Sequence, residues 1–333
     1  MSGGGGEEEE EEDGENAQEG EQLENGAKGE EEQREKGGTI EQKAVTADDE
    51  DGRRGRRPVL VVGHYCHDRI TLPGGSRVDA LGGSVSYIAN IFEALGMEAE
   101  IVSKVGPDFV YSAQLSHVPK VVESKLTTEF FADFTSGEDR MLRVGNICEP
   151  IFPHDIASDR TYELGLAVGI AGEVLPETIK RMARNSRIVI ADVQALIRDI
   201  NPMSGLVSLR RLEDTPYCGL LSRISFLKAA RIEATFIDIE QVRQSTCVIV
   251  TEGENGSRVY SKEDEFRVPP FHATELDPTG AGDCFLAGFS AGLYQGLSVY
   301  QAVRMGNYFG ALAVEQIGVP QFTDRQLEGC PFL

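Results

Sequence analysis

Val59-Leu60-Val61-Val62-Gly63 is an unbroken apolar run closed by a glycine. A short continuous run of this kind predicts a strand buried on both faces, as in a parallel sheet. Beyond Leu81-Gly82-Gly83 the period changes. Val85, Ile88, Ala89, Phe92 and Leu95 recur at helical spacing and stop at Gly96, which predicts a helix. Further strands are expected over 100–105, 164–170, 187–193, 224–228 and 247–251, and helices over 175–184, 280–295 and 298–316. Residues 127–134 and 140–145 are short, rich in Thr and Phe, and separated by Ser136-Gly137-Glu138-Asp139, a hairpin signal. A second antiparallel pair is expected over 257–261 and 266–268. Strand–helix alternation of this kind predicts an α/β fold, with a mostly parallel sheet covered on both faces. The hairpin at 127–145 would stand out from that sheet as a small lid.

Charge separates a tail from this body. Residues 1–52 hold 20 acidic residues against 4 basic, a balance of −16 out of the chain's −23, so the remainder carries −7. Glu, Gly and Gln dominate the segment, which is expected to be disordered because it cannot bury enough apolar surface to offset chain entropy. It has no apolar core of a secretory signal and is too acidic for a transit peptide. We therefore divide the chain into an acidic tail, 1–57, and a folded domain, 58–333. The basic run Arg53 to Pro58 reads as a charge run at that boundary, with nuclear entry left open. An acidic chain lacks the basic footprint that nucleic acid requires. No apolar run approaches the roughly 18 residues of a membrane span. Six scattered cysteines without a C-x-x-C pair suit a reducing, cytoplasmic setting. His64-Tyr65-Cys66-His67-Asp68 has the wrong spacing for a four-ligand zinc site.

Ligands of open α/β sheets sit beyond the carboxyl ends of the strands. The residues expected there are Asp68, Gly82-Gly83, Asp108, Asp192, Lys228 with Glu233, Thr251 with Gly253, and Gly280 to Asp283. In the last stretch, Gly280-Ala281-Gly282 opens the helix expected over 280–295. The first turn of a helix offers unpaired N–H groups and partial positive charge, and glycines let an anion approach them. Asp283 follows at once. A carboxylate does not bind an anion, but it does take a proton from an attacking hydroxyl. An anion cradle beside a base is the arrangement of phosphoryl transfer. No G-x-x-x-x-G-K-[ST] occurs, so the donor is not held by a Walker loop. Thr251, Gly253 and Gly256 form a T-x-G-x-x-G turn able to approach a nucleotide. No group near these positions is a dedicated binder of charge, so a neutral acceptor is expected.

Gly82-Gly83 entering a helix, with Asp277-Pro278-Thr279-Gly280-Ala281-Gly282-Asp283 late in the chain, resembles the ribokinase-like (pfkB) carbohydrate kinases over residues 58 to about 320. The resemblance implies a three-layer α/β/α sandwich with a β-sheet lid and ATP–Mg²⁺ as donor, with a monovalent cation such as K⁺ left open. It implies Asp283 as base, with Gly280, Ala281 and Gly282 as anion hole. Asp68, Gly82, Gly83 and Tyr87 would hold the acceptor; Thr251, Gly253, Gly256 and Asn307 would line the nucleotide site. Glu233 would organise Mg²⁺ through water, although Ala230 stands where the family's N-x-x-E motif has asparagine. The stretches VVGHYCHD, LGGSVSYIAN, SKVGPDF, LPETIKRM, DVQALIRD and FLKAARIEA are similar to the plant inositol-phosphorylating branch of that family, which implies myo-inositol as acceptor, phosphorylated at its 3-hydroxyl. Another sugar or nucleoside kinase of this fold, or a silent relative serving as a binding subunit, stays open, as does the oligomeric state.

Overall fold

A computed structural model of the chain describes residues 57–72, 74–133, 135 and 141–333. The acidic segment, most of the basic run after it, the turn at 136–139 and Phe134 lie outside the described residues. Strand β1 (Val59–Val62) is fully buried, and its side chains alternate between two apolar clusters. Val59 and Val61 face one cluster and Leu60 and Val62 the other, as the two-residue strand period requires. This places β1 in the middle layer of three.

The chain then runs through β2 (Cys66–Thr71), β3 (Arg77–Gly82), helix α1 (Ser84–Ala94), β4 (Ala99–Val102), β5 (Thr128–Asp133), β6 (Met141–Val144) and β7 (Tyr162–Ala167). There follow α2 (Pro176–Asn185), β8 (Ser186–Asp192), β9 (Phe226–Ala230), β10 (Cys247–Thr251), β11 (Ser257–Tyr260), β12 (Glu265–Val268), α3 (Ala281–Gln295) and α4 (Val299–Val314). The main sheet has the order β12-β11-β10-β9-β8-β7-β1-β4. From β10 to β4 the strands are parallel, and β11 and β12 add an antiparallel edge. Helices α1, α3 and α4 cover one face, and α2 lies on the other. The result is the expected three-layer α/β sandwich.

The lid is larger than the hairpin signal. It is a four-stranded sheet of order β3-β2-β5-β6, and its inner strands β2 and β5 are parallel. Strands β2 and β3 escaped the sequence reading because CHDRIT and RVDALG carry no continuous apolar run and little alternation. The strand expected over 100–105 is broken. Ala99–Val102 pairs with β1, whereas Lys104–Val105 pairs with Lys120–Val121. At the break, Ser103 Oγ accepts the Tyr65 N–H at 2.9 Å, a bond that anchors the start of the lid to the main sheet. Among the described residues, no helix is long and apolar enough to cross a membrane.

Candidate active site

A cleft opens where the lid meets the carboxyl ends of the parallel strands. Its lining brings together Asp68, Gly83, Tyr87, Gly280 and Asp283 of the expected residues, and adds Ser84, Gln194 and Arg198. Asp68 comes from lid strand β2, directly across from β3. A β-carbon on Gly82 would overlap its carboxylate, so only glycine at 82 admits Asp68 in this position. The Cys66 thiol donates to Asp68 Oδ1 at 3.1 Å. Gly83 caps α1 with φ of 90°, and its own β-carbon would strike His64 O. Tyr87, one turn into α1, is buried, and burial together with Asp68 and Asp283 keeps its phenol protonated. It is thus a hydrogen-bond donor at working pH.

Gly280 takes the left-handed conformation, φ 78°, at the N-cap of α3 and supplies no capping side chain. A β-carbon there would also overlap the Tyr87 ring. The glycine therefore serves backbone geometry and packing as well as anion access. Ala281 N–H, expected in the anion hole, turns back to Pro278 O at a long 3.3 Å here. The N–H groups of Gly282 and Asp283 have no acceptor among the described residues, and they form the open mouth of the helix.

Asp283 is held through Ser84 of α1, which is itself braced by Gln194. The Ser84 hydroxyl hydrogen-bonds its carboxylate, and Gln194 Nε2 donates to Ser84 Oγ at 2.7 Å. Burial, and next the charge of Asp192, push the Asp283 carboxyl up to about 6, against the opposing pull of Lys228, Ser84 and Arg198. That value suits a base which must be ionised near neutrality and still bind a proton during reaction. Arg198 is the cation of the cleft lining, and its Nη1 donates to Ile170 O at 3.1 Å. The sequence reading had placed no charge-binding group here. Ser84, Gln194 and Arg198 were missed, although Gln194 follows the end of β8, where a strand-end rule pointed only to Asp192.

The expected nucleotide residues do not line this cleft. Thr251 ends β10, and its hydroxyl reaches Ala229 O at a long 3.4 Å. Gly253 starts a one-turn 3₁₀ segment with open space around it. A β-carbon on Gly256 would overlap Val268 O. The Asn307 amide donates to Val268 O at 3.2 Å and to Pro269 O at 2.9 Å, and it accepts from Ser257 Oγ at 2.6 Å. Gly256 and Asn307 thus converge on the end of β12 as braces, and the Asn307 amide is committed to that wall rather than turned to a base.

Glu233 is also committed. Its Oε2 accepts the Ala230 N–H at 2.7 Å, capping the short helix Arg231–Ala234. Burial, then Asp192, raise its carboxyl above the ordinary range. Among the described residues no group of three His, Cys, Asp or Glu could hold a metal on its own. Magnesium keeps most of its waters and typically arrives on a phosphate donor, so contact through water from Glu233 remains compatible with this wall.

The profile of the pfkB family carbohydrate kinases matches residues 231–324. The chain is 45% identical over 272 residues to inositol 3-kinase of Arabidopsis thaliana, covering 80% of this chain and 76% of that protein. It is 47% identical over 284 residues to inositol 3-kinase of Oryza sativa subsp. japonica, covering 81% and 71%. Among solved structures, a pyrophosphate-dependent kinase of the ribokinase family complexed with a pyrophosphate analog and myo-inositol superposes with a TM-score of 0.70 at 19% identity, covering 81% of this chain and 99% of that one. The Methanocaldococcus jannaschii nucleoside kinase superposes with a TM-score of 0.63 at 20% identity, covering 82% and 98%. Relatives of this identity over four fifths of the chain, together with the family match that includes the glycine turn, show that the chain belongs to the pfkB family of carbohydrate kinases.

Proposed function

We propose that this protein transfers the terminal phosphoryl group of ATP to the 3-hydroxyl of myo-inositol. The observation that carries the reading is the cleft itself: the Asp68 carboxylate and the Tyr87 phenol face the Asp283 base beside the open N-terminus of α3. Relatives 45–47% identical over most of the chain are inositol 3-kinases, which selects the cyclic polyol. Asp68 accepts hydrogen bonds from acceptor hydroxyls and Tyr87 donates to one. The Ser84–Gln194 pair fixes the orientation of Asp283, which takes the proton of the attacking hydroxyl. The N–H groups of Gly282 and Asp283 receive the anionic oxygens of the moving phosphoryl group. The lid, by covering the cleft, excludes water that would compete as acceptor. Bound Mg²⁺ would supply charge neutralisation to the donor phosphates, with Glu233 behind it. Thr251 and Gly253 would approach the nucleotide.

A nucleoside acceptor fits less well. Of the aromatic residues available as a base clamp, Phe130 lines the cleft, but Phe131 points out of the lid and is 43% exposed. Strand alternation in β5 enforces that split. The test is donor consumption by the purified protein with myo-inositol, ribose, fructose and adenosine in parallel. The reading expects kcat/KM for myo-inositol to exceed the others; a preference for adenosine or ribose would overturn the acceptor assignment.

A further inference from the structure

Lys228 has no place in the reaction as described so far. It lies on β9 with its side chain buried, and it does not line the acceptor cleft. Its ammonium carries three donors. Asp192 Oδ2, at 3.0 Å, is its one hydrogen-bond acceptor among the described residues. The rest of the head group faces the glycine turn. A β-carbon on Gly282 would lie 2.7 Å from Lys228 Nζ and 3.4 Å from Cε. In a helix the Cα–Cβ bonds lean toward the N-terminus, so the ammonium stands beside the mouth of α3, next to the open N–H groups of Gly282 and Asp283.

The charge around it makes this position consequential. Asp192, Glu233 and Asp283 all act on Lys228 and keep it protonated against the effect of burial. A phosphoryl group entering the mouth of α3 therefore approaches a region rich in carboxylates. Two backbone N–H groups and a helix dipole are a weak counterweight to them, whereas a fixed ammonium beside the turn is a strong one.

We propose that Lys228 is a catalytic residue, whose ammonium binds a non-bridging oxygen of the phosphoryl group during transfer. The proposal rests on the phosphoryl-transfer reading above and deepens it. In the step, the bond from phosphorus to the donor's bridging oxygen breaks, and its electron pair leaves with the donor. The bond from phosphorus to the acceptor oxygen forms, and the acceptor's proton passes to Asp283. Lys228 keeps its proton throughout and contributes charge alone.

A purely structural Lys228 would serve to neutralise Asp192, and removing both charges together would then cost no more turnover than Asp192→Asn alone, which changes the setting of Asp283. The deciding variant is accordingly the pair Lys228→Met with Asp192→Asn, which removes the hydrogen-bonded ion pair as a unit. The proposal expects it to fold with KM for the polyol within about threefold of wild type and kcat lower by roughly 10²–10³ than that of Asp192→Asn alone, the usual cost of one lost oxyanion donor. A second readout needs no turnover. Inorganic sulfate in the low millimolar range, against chloride at matched ionic strength, should raise the thermal midpoint of the wild type and leave that of the pair unmoved. A pair variant with kcat near that of Asp192→Asn alone, or one that responds to sulfate as the wild type does, overturns the proposal. Should the pair not fold, Gly282→Ala displaces the ammonium without removing it; the same losses are expected, and unchanged turnover and sulfate response overturn the proposal. A wild type that transfers no phosphoryl group to any polyol refutes the functional reading instead, and the sulfate comparison still decides the role of Lys228.

Discussion

Gln194 Nε2 donates to Ser84 Oγ at 2.7 Å, joining residues 110 positions apart, and the same serine hydroxyl bonds the carboxylate of Asp283. Asp283 is thus oriented from the start of α1, by a serine that the segment after β8 holds in place. Ser84→Ala should remove a hydrogen bond that favours the ionised carboxylate. The acid limb of kcat/KM should move to higher pH, with kcat reduced about tenfold or more. An unmoved limb would show that Ser84 does not act on the base.

Asp283 itself should govern the wild-type limb. Its carboxyl is raised to about 6, so kcat/KM should be level above that pH and fall about tenfold per unit below it. Asp283→Asn should lose at least the roughly 10²–10⁴-fold that general-base catalysis contributes. A pH profile of both proteins checks the two statements together.

The same shift has a consequence for stability. A carboxyl raised on folding binds its proton more tightly in the folded state, so the destabilisation it causes is absent below the unfolded value and fully present above about 6. Asp283→Asn is therefore expected to melt higher than wild type at pH 8 and equally at pH 3. Thermal scans at the two pH values read the sign directly, and a lower midpoint at pH 8 would contradict it.

Asp68→Ala should raise KM for the polyol by far more than KM for the donor. A site built to pair hydroxyls rejects the mismatched combination by up to about 10⁴–10⁵-fold, because its remaining polar groups go unsatisfied. Equal changes in both constants, measured by initial rates, would remove Asp68 from the acceptor site.

Gly280→Ala forces a side chain into φ 78° and into the Tyr87 ring. Left-handed backbone alone costs a non-glycine residue on the order of 1 kcal/mol or more. The variant should melt several degrees lower and lose turnover. A wild-type melting point would mean that the turn relaxes freely.

Most of the frame was legible in the sequence because buried parallel strands are continuous apolar runs and the helices show their period. Cys247–Thr251 was read to the residue, and the glycine turn marked the start of α3. The lid strands Cys66–Thr71 and Arg77–Gly82 were not legible, since a sheet with few buried positions leaves no periodic signal. In the site, the local motif exposed Asp283, but its partners Ser84 and Gln194 meet it only through the fold. The commitment of Asn307 to the end of β12 is equally a tertiary fact, beyond what residue type and spacing encode.

The central claim is that Asp283 activates the 3-hydroxyl of myo-inositol. Wild type and Asp283→Asn should each be incubated with ATP, Mg²⁺ and myo-inositol, and the product identified by phosphorus–proton NMR followed by chiral separation, because the 1- and 3-phosphates are mirror images. The account predicts a single monophosphate from the wild type, eluting as the 3-phosphate, and none above background from the variant over the same interval. No phosphate on inositol from the wild type, or equal yields from both proteins, would contradict it.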